Sequence, residues 1–195
     1  MENNKIFKIV ITALMAALCY VVFTIIQIKI PTPAGYTSFH LGNVFCVLTA
    51  LLLDGISGGI AGAIGMGIGD LLDPAYVVTA PKTIILKFFI GFITGTLAHK
   101  VFNINEKENP RKEVISSVCG GMLFNVIAEP IFSYIYYSLI LGNADKAASY
   151  LTIAKWITTS TNAVLTIIIS ILLYAPLRKA LKKYFVWWSF IYNIY

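Results

Sequence analysis

Several ionisable side chains stand inside long apolar segments of this 195-residue sequence. Lys87, Asp70 and Glu129 each lie within a run of mostly hydrophobic residues. An ionisable group within a bilayer is costly and is usually retained for a binding site or a transport pathway. A lysine and a carboxylate in such positions could bind a polar ligand together or form a proton-linked pair. The alternatives are that Lys87 extends its ammonium to the outer surface and that Asp70 only ends a helix.

Peptide hydrolysis by a pair of carboxylates is a further possibility. Gly67–Asp70 reads GIGD, which matches the GxGD motif of intramembrane aspartyl proteases. That chemistry requires two carboxylates close enough to share a proton. Asp54 lies sixteen residues before Asp70, or about 24 Å along one helix, and Glu129 is atypical for this class. The sequence therefore disfavours a protease.

Metal and phosphate chemistry find little support in the sequence. His40 has no second histidine or cysteine at metal-ligand spacing, so it is interpreted as a membrane-interface residue. The glycine-rich stretch lacks the Gly-Lys-Ser/Thr ending of a phosphate-binding loop. Cys19, Cys46 and Cys119 all fall in apolar runs, where free thiols are expected. We therefore expect no catalytic residue, no metal and no cofactor in this chain.

The composition indicates which elements must position the polar groups. Hydrophobic residues make up 58% of the chain and charged residues 12%, whereas a soluble domain carries about 25% charged residues. The net charge of +6 is then a topology signal and not evidence for nucleic-acid binding. The sequence predicts an all-α membrane protein, one multi-pass domain over residues 1–195, with six transmembrane helices at about 6–28, 41–54, 56–73, 81–101, 114–141 and 156–176.

The orientation in the bilayer follows from the lysines and arginines between the spans. With the N-terminus inside, ten of them fall in inner segments and four in outer segments, which favours both termini in the cytoplasm. Most in-membrane polar groups then lie in the outer half. This predicts a pocket open to the outside and formed by Lys87, Glu129, Asn125, Asn162, Asp70, Asn43 and His40. Trp156 could anchor its helix at the interface or provide a stacking surface.

Small residues recur at helical spacing in three of the spans. In lipid, small residues on a helix face allow another backbone to approach closely. The third predicted span has such a face at Gly58, Gly62, Gly65 and Gly69. Gly91 and Gly95 form a GxxxG motif in the fourth span, which favours packing within the protein. Ala13 and Ala17 form an AxxxA motif in the first span, which could pack internally or face a partner protein.

These motifs resemble those of the substrate-binding (S) components of energy-coupling factor (ECF) transporters. The resemblance covers nearly the whole chain and rests on AxxxA, on HLGN at residues 40–43, on ALLLDGISGGIAGAIGMGIGDLL, and on Lys87 followed by Gly91 and Gly95. It is strongest to the branch for riboflavin-like, pyridoxine-like and hydroxymethylpyrimidine-like vitamins. Two residues depart from the pattern: Asn43 stands where aspartate is common, and Asp54 where an apolar residue is usual. The riboflavin-binding pattern of the sixth span is not clearly present.

The resemblance implies a mechanism of vitamin import across the plasma membrane. The S component would bind a vitamin from outside, with the loop Ile30–Phe39 as a lid, and would hydrolyse nothing itself. Ala13 and Ala17 would dock on the membrane-embedded coupling (T) subunit, and two ATPase subunits would drive inward release. A pyridoxine-like or hydroxymethylpyrimidine-like ligand is favoured over riboflavin. Its ring would stack on Trp156, Tyr36 or Phe39, and its hydroxyls would bond with Lys87, Glu129, Asn125 and Asn162.

Two further functions stay open at the sequence level. An ion-coupled secondary transporter would use Glu129 and Lys87 as a proton-linked pair. A purely structural membrane subunit would bind no ligand at all.

Overall fold

A computed structural model describes residues 2–192 of the chain, a mostly helical protein with one small β-hairpin. Each of the six predicted spans overlaps one of its helices. The helices are α1 (Glu2–Ile25), α2 (Gly42–Leu52), α3 (Gly55–Leu71), α4 (Ala80–Thr96), α5 (Arg111–Ile135) and α6 (Asp145–Tyr192). A 3₁₀ turn, Val77–Thr79, precedes α4, and π-helical turns extend α4 through Leu97–Val101 and α5 through Tyr136–Ile140.

Helix length and composition indicate a membrane protein. Within the described residues, four segments are long and apolar enough to cross a bilayer: Lys5–Ile25, Val77–Val101, Arg111–Ile140 and Asp145–Leu181. The helix α2 is apolar but has only 11 residues, whereas a perpendicular crossing takes about 20. The six-span topology with both termini inside therefore stays a prediction.

The first connection is a β-hairpin, which the all-α prediction did not include. Strand β1 (Gln27–Thr32) pairs antiparallel with β2 (Gly35–His40), in a register that sets Gln27 opposite His40. Only two residues connect the strands, and Gly35 adopts a φ of +150° at the end of this turn. That backbone angle strains any residue with a Cβ, so glycine is required to close the hairpin.

Helix α3 packs through its glycines, as the small-residue spacing predicts. A Cβ on Gly91 of α4 would lie 2.2 Å from the carbonyl carbon of Gly58 and 2.3 Å from the backbone nitrogen of Gly59. A Cβ on Gly65 would lie 2.4 Å from the backbone oxygen of Ala16 in α1. These distances leave no room for side chains, so the close approach of α1 and α4 to α3 is confirmed.

Asp54 begins α3 and connects it to α1. Its carboxylate accepts a hydrogen bond from the Ser57 N–H at 2.9 Å and forms a salt bridge with Lys8. Because Asp70 lies near the other end of α3, the two carboxylates do not form a dyad.

Helix α6 begins at Asp145, eleven residues before the predicted start of the sixth span. Its added N-terminal turns have a continuous buried face that includes Ala148, Leu151, Lys155 and Thr158. These residues are spaced by three or four, the spacing of one helix face. The polar residues 142–155, predicted as a loop, therefore contribute a buried lysine to the interior.

Candidate functional site

A polar cavity of about 50 Å³ lies between the hairpin and the helices α2 to α6. Each of these elements contributes polar side chains: α2 and α3 direct one each into the cavity, α4 and α5 two each, and α6 four. Seven of the nine predicted ligand-binding residues line this cavity: Lys87, Glu129, Asn125, Asn162, Asp70, Asn43 and His40. All seven are at most 9% exposed. The structure therefore brings these residues together, and their contact with a ligand stays a proposal.

Glu129 is the centre of a buried charge cluster on one side of the cavity. Its Oε1 accepts hydrogen bonds from Lys82 Nζ at 2.5 Å and from Lys155 Nζ at 3.1 Å. Ser133, one helical turn after Glu129, accepts from Lys82 at 3.0 Å and lies 3.3 Å from the same carboxylate oxygen. Burying a carboxylate is tolerable only when it is paired and hydrogen-bonded, and two ammonium groups meet that condition here.

Lys82 and Lys155 are functional candidates that the sequence reasoning missed. Both were counted as outer-segment lysines that set the membrane topology. The structure buries them, at 4% and 7% exposure. Lys82 lies in the first turn of α4, and Lys155 lies inside α6 because that helix begins eleven residues earlier than predicted. One signal was available: Lys155 precedes Asn162 by seven residues, which is two helical turns, so both side chains leave α6 on one face.

The Lys87 ammonium differs from the other two lysines of the cluster. The side chain lines the cavity and the residue is 6% exposed. Among the residues that the structure describes, none forms a hydrogen bond or salt bridge with its Nζ. Of the two partners considered for Lys87, Glu129 or a ligand, Glu129 forms no salt bridge with it in the described residues, because Lys82 and Lys155 occupy that carboxylate.

Amide and imidazole groups around the cavity also have free hydrogen-bonding capacity. Within the described part of the chain, both side-chain polar atoms of Asn43, the Oδ1 of Asn125 and the Nδ1 of His40 are buried without a partner. Buried polar groups are normally satisfied, and each unsatisfied one costs about 1 to 3 kcal/mol. A ligand that supplies donors and acceptors would therefore gain affinity from these atoms.

Burial controls the ionisation of two residues at the outer rim of the cavity. Burial and, to a smaller extent, the nearby Lys87 charge lower the pKa of His40 to about 3, so the imidazole is neutral at physiological pH. Burial also raises the pKa of the Tyr76 phenol to about 12. Neither group adds charge to the cavity near pH 7.

The ring-stacking residues expected from the sequence lie elsewhere. Trp156 is 59% exposed and does not line the cavity, because α6 directs the neighbouring Lys155 inward and Trp156 outward. Tyr36 is 39% exposed and packs edge-on against Tyr76, with the ring centroids 6.3 Å apart. Tyr76 itself lines the cavity, as does Phe23 of α1. These two rings replace Trp156 as the aromatic surfaces available to a ligand.

The hairpin covers the cavity and is bound to it from both strands. Asn162 Oδ1 accepts from the His40 N–H at 3.1 Å, and Asn162 Nδ2 donates to the Ser38 carbonyl at 3.0 Å. The Thr37 hydroxyl lies 2.6 Å from that of Thr158. On the β1 side, Lys29 pairs with Asp73 at 2.5 Å, after the end of α3. The hairpin therefore forms a cover over this side of the cavity that polar contacts hold in place.

A second surface runs along the outside of α1 and α3. It is a groove of about 820 Å³ lined largely by apolar side chains, with Lys5 and Lys8 at one end. Ala13 and Ala17 both line it and are exposed. Among the described residues, no helix of this chain covers the predicted AxxxA face, so both alanines stay accessible. In the described residues, no three or more His, Cys, Asp or Glu side chains lie close enough together to hold a metal ion.

Known proteins resemble this chain in sequence and in fold. The model of a family described as "ECF-type riboflavin transporter, S component" matches residues 3–179. A solved structure described as "Structure and mechanism of the S component of a bacterial ECF transporter" aligns with a TM-score of 0.64 over 91% of this chain and 99% of that chain. Its sequence identity is 17%, so it shows the fold. An uncharacterised protein of Pyrococcus woesei is 26% identical over 117 residues, 60% of this chain and 73% of that protein.

Proposed function

The chain belongs to the family of ECF-type riboflavin transporter S components, and we propose that it captures a small aromatic vitamin from outside the cell in the cavity beneath the hairpin. An S component is a transport subunit and not an enzyme, which removes the intramembrane protease from the alternatives. The observation that carries the proposal is the cavity itself, where buried polar atoms without partners converge beneath a displaceable hairpin.

The size and polarity of the cavity favour a single-ring ligand. Ligand sites usually measure about 300 to 1,000 Å³, and this cavity measures about 50 Å³ with the hairpin in place. A one-ring vitamin of the pyridoxine or hydroxymethylpyrimidine type requires a smaller displacement of the hairpin than the three fused rings of riboflavin. The lining offers many hydrogen-bonding groups and two aromatic rings, which suits a small ring with polar substituents.

The membrane arrangement proposed here has six crossings and both termini in the cytoplasm. Lys82 and Lys155 are occupied by Glu129, so they no longer count as topology signals for the outer side. Of the four outer lysines, Lys29 and Lys146 then remain against ten inner lysines and arginines. In this orientation the hairpin and the cavity face outward, as capture of an external vitamin requires.

Transport would need partner proteins. We propose that the groove with Ala13 and Ala17 receives a helix of a membrane-embedded coupling subunit, because small side chains let two helices approach closely. Two ATPase subunits bound to that partner would supply the energy for reorientation and inward release.

The proposal is tested by mass spectrometry of small molecules that copurify with the detergent-solubilised chain, followed by calorimetric titration with pyridoxine, hydroxymethylpyrimidine and riboflavin. A one-ring vitamin should copurify and bind more tightly than riboflavin. Riboflavin as the copurified and tightest ligand would refute the one-ring assignment and agree with the family description. The ion-coupled alternative is tested in liposomes with the chain alone, where uptake driven by a proton gradient without ATPases would overturn the S-component mechanism.

A further inference from the structure

The surroundings of Lys87 indicate which charge the ligand has. On the basis of the proposed function, in which this cavity binds a one-ring vitamin, we infer that the ligand presents an ionised oxygen to the Lys87 ammonium. A phenolate or a carboxylate attached directly to the ring has that chemistry. Lys87 would then select the charge class of the ligand, while the other polar groups fix its orientation.

The first observation is an excess of positive charge in and directly behind the cavity wall. Lys87 and Lys155 line the cavity together with the carboxylates of Glu129 and Asp70, and a third ammonium, that of Lys82, lies behind the lining and pairs with Glu129. All five residues are at most 9% exposed, and His40 is neutral. In the described part of the chain the buried cluster therefore lacks one negative charge.

The second observation identifies which ammonium lacks a counter-ion. Glu129 is shared between Lys82 at 2.5 Å and Lys155 at 3.1 Å. Asp70 stands beside Thr83, and its charge acts on Lys82, Lys155 and Lys87 from a distance, but it forms no salt bridge with any of these lysines within the described residues. An unpaired charge in the interior is strongly unfavourable, so Lys87 is the position where a ligand anion would be most stabilised.

The backbone of Lys87 is held in place by its neighbours, so this lysine can distinguish ligands by their charge. Its backbone carbonyl accepts a hydrogen bond from Cys46 Sγ of α2 at 3.6 Å, and a Cβ on Gly62 of α3 would lie 3.1 Å from that same oxygen. With α2 and α3 packed against its backbone, Lys87 cannot move away with a turn of α4. Its ammonium therefore stays within reach of the cavity, where an anionic ligand group could pair with it.

The two one-ring candidates differ in the group they can offer. A 3-hydroxypyridine of the pyridoxine type exists largely as a zwitterion in neutral water, with a phenolate oxygen for Lys87 and a ring N–H for an acceptor such as Asn125 Oδ1. A hydroxymethyl aminopyrimidine has no acidic oxygen and would leave the Lys87 charge uncompensated. The structure thus favours a hydroxypyridine or a pyridine carboxylate over an aminopyrimidine.

The experiment titrates the full chain in lipid nanodiscs with five probes. Pyridoxine supplies a ring phenolate, nicotinate supplies a ring carboxylate, and the 3-O-methyl ether of pyridoxine keeps the ring without an ionisable oxygen. Hydroxymethylpyrimidine and riboflavin are the remaining two. The variants are Lys87→Gln, Lys87→Arg and, as a control at the exposed cytoplasmic end of the same helical segment, Lys100→Gln.

The wild type and Lys100→Gln should bind pyridoxine or nicotinate at least about tenfold more tightly than the methyl ether, the effect of one charged hydrogen bond. Which of the two binds distinguishes a phenolate from a carboxylate. Lys87→Gln should remove that preference without weakening the methyl ether, and Lys87→Arg should retain part of it. If Lys87→Gln does not fold, the ratio of the wild-type affinities for the ionisable probes and for the methyl ether tests the inference by itself.

Two results would contradict the inference in different ways. Equal or tighter binding of the methyl ether, hydroxymethylpyrimidine or riboflavin by the wild type would overturn the charge assignment and leave vitamin capture intact. If none of the five probes binds, the proposed function fails and the inference fails with it.

Discussion

The Lys82 ammonium and the Glu129 carboxylate lie 2.5 Å apart, from Nζ to Oε1, in a part of the protein where their side chains are 2% and 11% exposed. This pair joins the beginning of α4 to the middle of α5. Lys155 extends it to α6 through the same carboxylate oxygen. One glutamate therefore connects the three long helices beside the cavity, so its charge bears on both folding and ligand binding.

Glu129→Gln should destabilise the protein severely. The change leaves the Lys82 and Lys155 ammonium groups buried without a carboxylate, and breaking a buried ion pair in this way costs about 3 to 5 kcal/mol. Thermal unfolding of the purified protein measures the loss. The matched control is Glu113→Gln, which removes a salt bridge with the half-exposed Lys107 and should shift the melting temperature far less. Equal shifts in the two variants would contradict a structural role for the buried cluster.

Gly91→Ala should separate α3 from α4. The added methyl group would lie 2.2 Å from the Gly58 carbonyl carbon, and a backbone atom cannot rotate away as a side chain can. We expect a loss of about 3 kcal/mol or more in unfolding free energy, the upper part of the range for overpacking. Gly120→Ala is the control, because its methyl would meet only the Cδ1 end of the Leu97 side chain. A Gly91 variant as stable as the Gly120 variant would show that the helices need not touch.

The helices could be predicted from the sequence because their apolar lengths and small-residue spacing are local properties. The hairpin could not, since residues 27–40 contain Pro31 and Pro33 and no long alternating run. Its strands are held by contacts with α6, Thr37 to Thr158 and His40 to Asn162, which are 121 and 122 residues apart in sequence. Such pairs are not visible in one sequence.

Most residues that line the cavity could be predicted from the sequence, but the ion pairs between its charged side chains could not. In-membrane polarity alone selected seven lining residues. Lysines near predicted span ends looked like topology signals, so Lys82 and Lys155 were not considered as partners of Glu129. The sequence could have predicted that Trp156 faces away from the cavity. At 3.6 residues per turn, Trp156 is six residues from Asn162 and lies about 120° from it around α6. Lys155, seven residues from Asn162, lies within about 20° of it.

Tyr76 and Trp156 should therefore differ in their effect on the ligand. Tyr76 is 5% exposed and lines the cavity, whereas Trp156 is 59% exposed. Tyr76→Leu should weaken vitamin binding by about three- to tenfold, the range for loss of one aromatic contact. Trp156→Leu should leave the affinity unchanged. Calorimetric titration of both variants with the copurified ligand measures the difference, and a larger loss for the tryptophan variant would restore Trp156 as a stacking surface.

Asp73→Asn should loosen the hairpin without unfolding the protein. The substitution removes the charge that pairs with Lys29 at 2.5 Å but keeps an oxygen that can accept from the Ala75 N–H. Partly exposed ion pairs are worth about 0.2 to 1 kcal/mol, so ligand dissociation should accelerate by up to about fivefold. A stopped-flow chase measures this rate. Asp145→Asn, at a carboxylate whose partner is Ser138, is the control. An unchanged rate in the Asp73 variant would mean that the hairpin is not the gate.

Ala13→Trp should block assembly with the coupling subunit while leaving vitamin binding intact. Ala13 is exposed in the groove between α1 and α3, away from the cavity, and a bulky ring there would keep a partner helix at a distance. Val164→Trp is the control, because Val164 is also exposed, at 55%, on α6. Copurification with the coupling subunit and titration with the vitamin measure the two properties separately. If Ala13→Trp still assembles as the control does, the docking surface lies elsewhere; if it loses the vitamin as well, the groove and the cavity are not independent.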